Sequence, residues 1–272
     1  MLRFRQVFSK MKCNVIGMIH VGALPGSPCY EGSVQKLVDD ACEEAERYKA
    51  CELDGVLLEN MHDIPYLRPK DMEPEITATM TKISVHVRRL LPHSVPCGIQ
   101  ILAGGNKEAV AVAHAAGLQF IWAEGFVFSH IADEGFIDST AGDLLRYRRK
   151  IGADDLLIFT DIKKKHSAHS ITADVSLEET VKAAEFFLSD GVILTGTSTG
   201  DPVNVSQFHA ARKCANGPLL IGSGVTRENL HKYAEADALI VGTYFKKNGC
   251  WKNEVDIHTV KMFMEEVHKG GE

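Results

Sequence analysis

No stretch of this 272-residue chain is apolar for long enough to span a bilayer, which takes about 20 consecutive apolar residues. The cysteines form no CxxC pair. Cys13, Cys29, Cys42, Cys51, Cys97, Cys214 and Cys250 are odd in number and scattered, a set that suits neither a disulfide framework nor a zinc knuckle and fits reduced thiols in an intracellular, cytoplasmic setting. HExxH is absent, the first apolar run carries no HxH, and His166 and His169 lack an evident third ligand, so no protein-built metal centre is expected. Positive charge is in deficit, 30 Lys and Arg against 36 Asp and Glu for a net charge of −6, which removes the whole-chain electrostatic basis for binding nucleic acid. A dinucleotide fingerprint is missing too. After the first apolar run the loop reads Val21-Gly22-Ala23-Leu24-Pro25-Gly26, where an open nucleotide-binding sheet would carry GxGxxG. With no low-complexity linker or charge block, and 45% hydrophobic residues, the expectation is one domain with a substantial core and no membrane partner.

What the chain does have is a repeat. Apolar runs over 13–21, 55–61, 97–103, 120–126, 156–162, 191–196, 219–223 and 238–245 alternate with helical patterns over 34–51, 75–91, 107–116, 140–151, 177–189, 205–214, 227–234 and 256–269. Near-continuous apolar strands are those covered on both faces of a sheet. Ser176 with Glu179 has capping-box spacing, and Gly117 and Gly152 stand where helices should stop. Eight strand–helix units predict a single-domain (β/α)8 TIM barrel over 13–272, with an open doubly wound sheet as the rival. The first twelve residues carry Arg3, Arg5, Lys10 and Lys12 among Leu2, Phe4, Val7 and Phe8, with no acid. This amphipathic segment reads as a frayed N-terminal tail or, alternatively, a short mitochondrial presequence.

Long loops over 22–33, 62–74, 127–139 and 163–175 follow strands one, two, four and five, on the face where barrel chemistry resides. The last two strands end in small residues, Gly222, Ser223 and Gly224 in one and Gly242 and Thr243 in the other. Backbone without a Cβ can approach an anion closely and offer free N–H groups to it, so this pair predicts a phosphate site. Ionisable residues at the other strand ends should point into the same mouth. Period-two alternation places Asp161 and Lys163 on one face, as a general base with a cation that stabilises developing negative charge. Glu59 is the second carboxylate of an acid/base pair and His20 a further candidate, while Asn60, Gln100, Glu124 and Thr195 are expected to contact substrate. Against each stands a structural role: an ion pair, an internal hydrogen bond, or a satisfied histidine. Asp161, Glu59 and Glu124 also present hard oxygen ligands, leaving Mg²⁺ with a substrate phosphate as an option.

Several runs carry a family resemblance: Val15-Ile16-Gly17-Met18-Ile19-His20 with Leu24-Pro25-Gly26-Ser27-Pro28, Asp54-Gly55-Val56-Leu57-Leu58-Glu59-Asn60, Asp161-Ile162-Lys163-Lys164-Lys165-His166, Thr195-Gly196-Thr197-Ser198-Thr199-Gly200, and Gly222-Ser223-Gly224-Val225-Thr226. Together these resemble the BtpA family across nearly the whole chain after about residue 12. The resemblance implies a barrel of the ribulose-phosphate-binding type. It also implies either of two roles, since the family name belongs to a cyanobacterial factor for photosystem I accumulation while bacterial relatives are described as candidate nucleosidases or sugar-cluster enzymes. Two positions depart from it. Gln100-Ile101-Leu102-Ala103 and Trp122-Ala123-Glu124 stand where relatives more often place Arg and Asn. The expectation is an enzyme acting on a phosphorylated sugar, nucleotide or nucleoside by ribosyl-bond hydrolysis, isomerisation or lysis. The alternative is a non-catalytic assembly factor. The ligand expected is a small phosphorylated molecule, and self-association is a further option.

Overall fold

A computed structural model describes residues 1–269. Eight parallel strands close into a barrel: β1 (Asn14–His20), β2 (Gly55–Glu59), β3 (Cys97–Gln100), β4 (Phe120–Ala123), β7 (Leu157–Ile162), β9 (Gly191–Leu194), β10 (Leu219–Ile221) and β11 (Ala238–Val241). The hydrogen-bonded order runs β1-β2-β3-β4-β7-β9-β10-β11 and back to β1, as the repeat predicts. Alternation sorts the side chains. Val15, Ile19, Val56, Leu58, Ile121 and Ile158 face outward into the layer shared with the helices. Ile16, Met18, Leu57, Trp122, Phe159 and Ile193 fill the barrel. The next inward positions up the strands are His20, Glu59, Gln100 and Asp161, and register pairs His20 with Glu59 and Glu59 with Gln100. Polar residues thus sit one layer above a dry interior.

Helices α2 (Val34–Lys49), α3 (Pro74–Leu90), α4 (Asn106–Ala116), α5 (Ala141–Lys150), α6 (Leu177–Phe186), α7 (Val205–Cys214) and α8 (Ile257–Lys269) surround the strands. The capping box of Ser176 and Glu179 is formed at α6, and Gly117 ends α4 in the left-handed conformation. The helix expected over 227–234 shrinks to a 3₁₀ turn, Leu230–Tyr233. Asn229 explains this: its Oδ1 accepts from the Thr226 N–H and its Nδ2 donates to the Gly224 carbonyl, taking backbone groups a helix would use.

Two expectations are corrected. The N-terminal segment is not frayed: Leu2–Val7 form helix α1, and Phe4 and Phe8 are buried at the floor of the barrel. Their rings stack at 4.7 Å, and Phe8 lies 5.5 Å from Phe120 and 6.4 Å from Phe159. Gly55 leaves the space this needs, since a Cβ there would meet Phe8 at 3.2 Å. The loops over 127–139 and 163–175 are also not plain loops. They form a small antiparallel sheet of β5 (His130–Ala132), β6 (Gly135–Ile137) and β8 (Ser167–Ala168). Three-residue strands with a two-residue turn leave almost no periodic signal to read. No helix is long and apolar enough to cross a membrane among the described residues.

Candidate functional site

The loops after β10 and β11 meet over a cavity of about 210 Å³, lined by Gly222, Ser223, Gly224, Gly242 and Thr243 together with His20, Glu59 and Lys165. Glycine is required at two of these positions. A Cβ on Gly222 would stand 2.6 Å from Ile193 and 2.7 Å from the Trp122 ring, and one on Gly224, at φ +66°, would enter the Asp201 backbone. The N–H groups of Ser223, Gly224, Val225, Thr243 and Tyr244 have no acceptor among the described residues. An array of free backbone donors is an anion cradle. The Ser223 hydroxyl is otherwise employed, donating to the Asp201 carbonyl and accepting from the Gly196 N–H, so it anchors the β9 loop while its backbone faces the cavity.

Glu59 and His20 border this cradle. Glu59 is buried, and desolvation pushes its carboxyl up to about 7, against the pull of Lys165 and with the added push of Glu124. His20 Nε2 lies 3.9 Å from Glu59. That distance would serve an ion pair, but burial, followed by the field of Lys246, holds the imidazole well below its ordinary range. We therefore assign a neutral histidine beside a carboxyl that gains and loses its proton near neutrality. The Nδ1 of His20 is 3.0 Å from the Trp251 carbonyl. A carbonyl only accepts, so the proton sits on Nδ1 and Nε2 keeps its lone pair. Beneath His20, its backbone N–H donates to Glu44, whose carboxylate is 2.6 Å from the fully buried Lys246 ammonium.

Asp161 belongs to a neighbouring cluster. It accepts from Trp122 Nε1 at 2.9 Å and lines a separate chamber of about 20 Å³ with Lys164, His130 and His169. Desolvation, reinforced by Glu124, lifts its carboxyl to about 7. Glu124 accepts from Gln100 at 3.3 Å and from the Gly104 N–H at 2.7 Å, and Lys164 stands 3.6 Å away. Trp122 joins the two regions: its indole binds Asp161 while its far edge underlies Gly222.

Three sequence-based placements need correction. Lys163 lines the chamber of Asp161, but its ammonium is committed elsewhere. The strand ends at Ile162, Lys163 turns to φ +54°, and its ammonium donates to the Thr172 and Val175 carbonyls. Alternation fails once the chain leaves extended geometry, and Lys164 and Lys165 supply the cations instead. Asn60 faces outward, fully buried, holding both the Leu102 N–H and carbonyl and donating to Asp63. It serves the architecture, with no face toward the cavity. Thr195 accepts from the Lys165 N–H, positioning that lysine. As for Mg²⁺, no group of three or more His, Cys, Asp or Glu side chains converges on a common point among the described residues. Lys165, Thr199 and Gly200, also lining the cavity, were legible only as members of the runs that carry the family resemblance, and Tyr244 carried no local signal.

Comparison with known proteins agrees with this architecture. The BtpA family model matches residues 11–269. A Caenorhabditis elegans protein described as uncharacterised and mitochondrial is 46% identical, over 93% of this chain and 92% of its own. The photosystem I biogenesis protein BtpA of Synechocystis is 31% identical, over 94% of this chain and 88% of its own. Among solved structures, the thiamine phosphate pyrophosphorylase of Pyrococcus furiosus superposes with a TM-score of 0.59 at 12% identity, covering 99% of both chains. The phosphoribosyl anthranilate isomerase of Thermus thermophilus does so at 0.57 and 10%, covering 94% of this chain and 98% of its own. At such identities the likeness is one of fold.

Proposed function

The chain belongs to the BtpA family, and from its site we propose that it is an enzyme acting on a small phosphorylated sugar, nucleotide or nucleoside. One observation carries this reading: the free N–H groups after β10 and β11 share a single cavity with Glu59, His20 and Lys165. The cradle and Lys165 would hold the phosphate. Glu59, poised near neutrality, would give a proton to a leaving group or take one from water or carbon, and the Nε2 lone pair of His20 would receive a second. A carboxyl able to change protonation state at the working pH is what ribosyl-bond hydrolysis, aldose–ketose isomerisation and lysis all need. We favour hydrolysis, in which a second polar group on the opposite side of the bond activates water.

The test has two stages. Inorganic phosphate and ribose 5-phosphate should raise the melting temperature, because a ligand that binds only the folded state stabilises it, and Lys165→Met should remove most of the rise. Release of ribose from nucleosides, or of ribose 5-phosphate from nucleotides, should then be detectable in the native protein and lost in Glu59→Gln with binding retained. A panel of phosphorylated compounds that leaves the melting temperature unmoved would overturn the reading. The name of the Synechocystis relative supports a second one, a non-catalytic assembly factor. It predicts that Glu59→Gln leaves cellular function intact. On location, the description of the C. elegans relative supports the mitochondrion, which imaging of a carboxyl-terminal fusion would check.

A further inference from the structure

Three buried polar atoms on the far side of the barrel mouth have no hydrogen-bond partner among the described residues: Gln100 Oε1, His130 Nε2 and Glu134 Oε2. Gln100 and His130 are 3% and 4% exposed. Leaving a buried donor or acceptor unsatisfied costs about 1–3 kcal/mol, and such atoms are rare in folded proteins. All three gather around the Glu124–Lys164 pair: Gln100 donates to Glu124, Glu134 lies in the field of both, and His130 shares a chamber with Lys164, so their free atoms are open to a bound molecule.

Their arrangement says where the ligand sits. His130 begins β5, and Glu134 stands in the turn between β5 and β6. This hairpin lies across the mouth. Ile137 on β6 packs against the positions of Gly104 after β3 and Gly125 after β4, where a Cβ on Gly125 would be 2.8 Å from it. On its other edge β5 pairs with β8 in the loop after β7. The hairpin therefore roofs the arc from β3 to β7, with Gln100 below it and His130 facing the chamber that holds Asp161 and Lys164. That chamber, about 20 Å³, has room for roughly one water. Gln100 is the register partner of Glu59, which lines the phosphate cavity.

We propose that the hairpin is a lid, and that Gln100, His130 and Glu134 form a second subsite that binds the hydroxyl groups of the substrate's sugar portion while the phosphate lies in the cradle. This rests on the phosphate reading above. The chemistry follows from the atoms. A glutamine Oε1 and a carboxylate oxygen only accept, so the ligand must bring hydrogen-bond donors, which a polyol supplies and a flat apolar ring does not. A hydroxyl also gives and accepts at once, which suits His130 Nε2 in either tautomer. Entry requires the hairpin to lift, and closure over a polyol satisfies the three atoms together.

The experiment compares inorganic phosphate with ribose 5-phosphate, by calorimetry and by hydrogen exchange of the hairpin amides. Native protein should bind ribose 5-phosphate at least tenfold more tightly than phosphate, and only the sugar phosphate should protect residues 130–137. Glu134→Met and Gln100→Met should each weaken ribose 5-phosphate about tenfold without changing phosphate affinity, and Glu134→Gln should restore most of the loss at 134. Glu134 is partly exposed at a turn, so its replacement should leave the fold intact, which the unchanged phosphate affinity checks. Equal affinity for the two ligands, or parallel loss of both in Glu134→Met, overturns the subsite while leaving the phosphate reading in place. If native protein binds neither ligand, the phosphate reading fails. Free ribose then decides the subsite: hairpin protection by ribose supports it, and none overturns it.

Discussion

Glu59 and Asp161, whose carboxyls burial raises to about 7, should make stability fall as pH rises, the reverse of the usual behaviour of a paired surface carboxylate. Consider Glu59→Gln, which keeps size and polarity and removes the titration. Burial raises this carboxyl from 4.5 to about 7, and at about 1.4 kcal/mol per pH unit that corresponds to roughly 3 kcal/mol. A carboxyl raised in the folded state holds its proton where the unfolded chain has already lost it. Its folded form is thus favoured most below the unfolded value, loses ground as pH climbs from 4.5 toward about 7, and carries the full penalty above that. The neighbours facing Glu59 are Lys165, Lys164, Glu124 and His20. All are retained in the variant, as is Asp161, so their own contributions largely cancel in the difference between variant and native protein. Melting curves of both proteins should coincide near pH 4.5 and separate on raising the pH. At pH 8 the variant should be the more stable by roughly 3 kcal/mol, on the order of 6 °C for a domain of this size. A difference that stays constant between pH 4.5 and 8, or a native protein more stable than the variant at pH 8, would refute the assignment of a desolvated Glu59.

Other perturbations test the supporting architecture. Lys246→Met leaves the largely buried Glu44 without its cation and should cost about 3 kcal/mol in urea unfolding, while the double variant with Glu44→Met should recover most of it. Phe8→Ala opens the barrel floor and should cost about 3–5 kcal/mol, whereas Leu2→Ala, at an 82% exposed position, should change stability by less than about 0.5 kcal/mol. A Phe8→Ala protein as stable as the native one would show that α1 does not plug the barrel. Asn60→Ala should lower stability by roughly 1–3 kcal/mol through its lost backbone bonds and leave phosphate affinity unchanged, and a selective fall in affinity would return Asn60 to the site.

Pattern alone settled the barrel and its mouth. Eight apolar runs separated by helical periods admit few closed arrangements, and alternation within β1, β2 and β7 places His20, Glu59 and Asp161 above the hydrophobic layer because strand geometry leaves no other choice. The glycines ending β10 and β11 were legible for the same local reason: a missing Cβ next to Ile193, Trp122 and His20 is a property of the residue type. Tertiary structure decided everything that depends on where the regular geometry stops. The Lys163 ammonium is spent on the Thr172 and Val175 carbonyls because the chain turns left-handed one residue past the strand. Asp161 and Glu59 fell into separate cavities because Trp122 reaches across the mouth. Phe4 and Phe8 became the floor because Gly55 makes room for a ring that arrives from more than forty residues away. Local sequence reports on spacing along one strand, and such contacts arise only when distant segments meet around a closed ring.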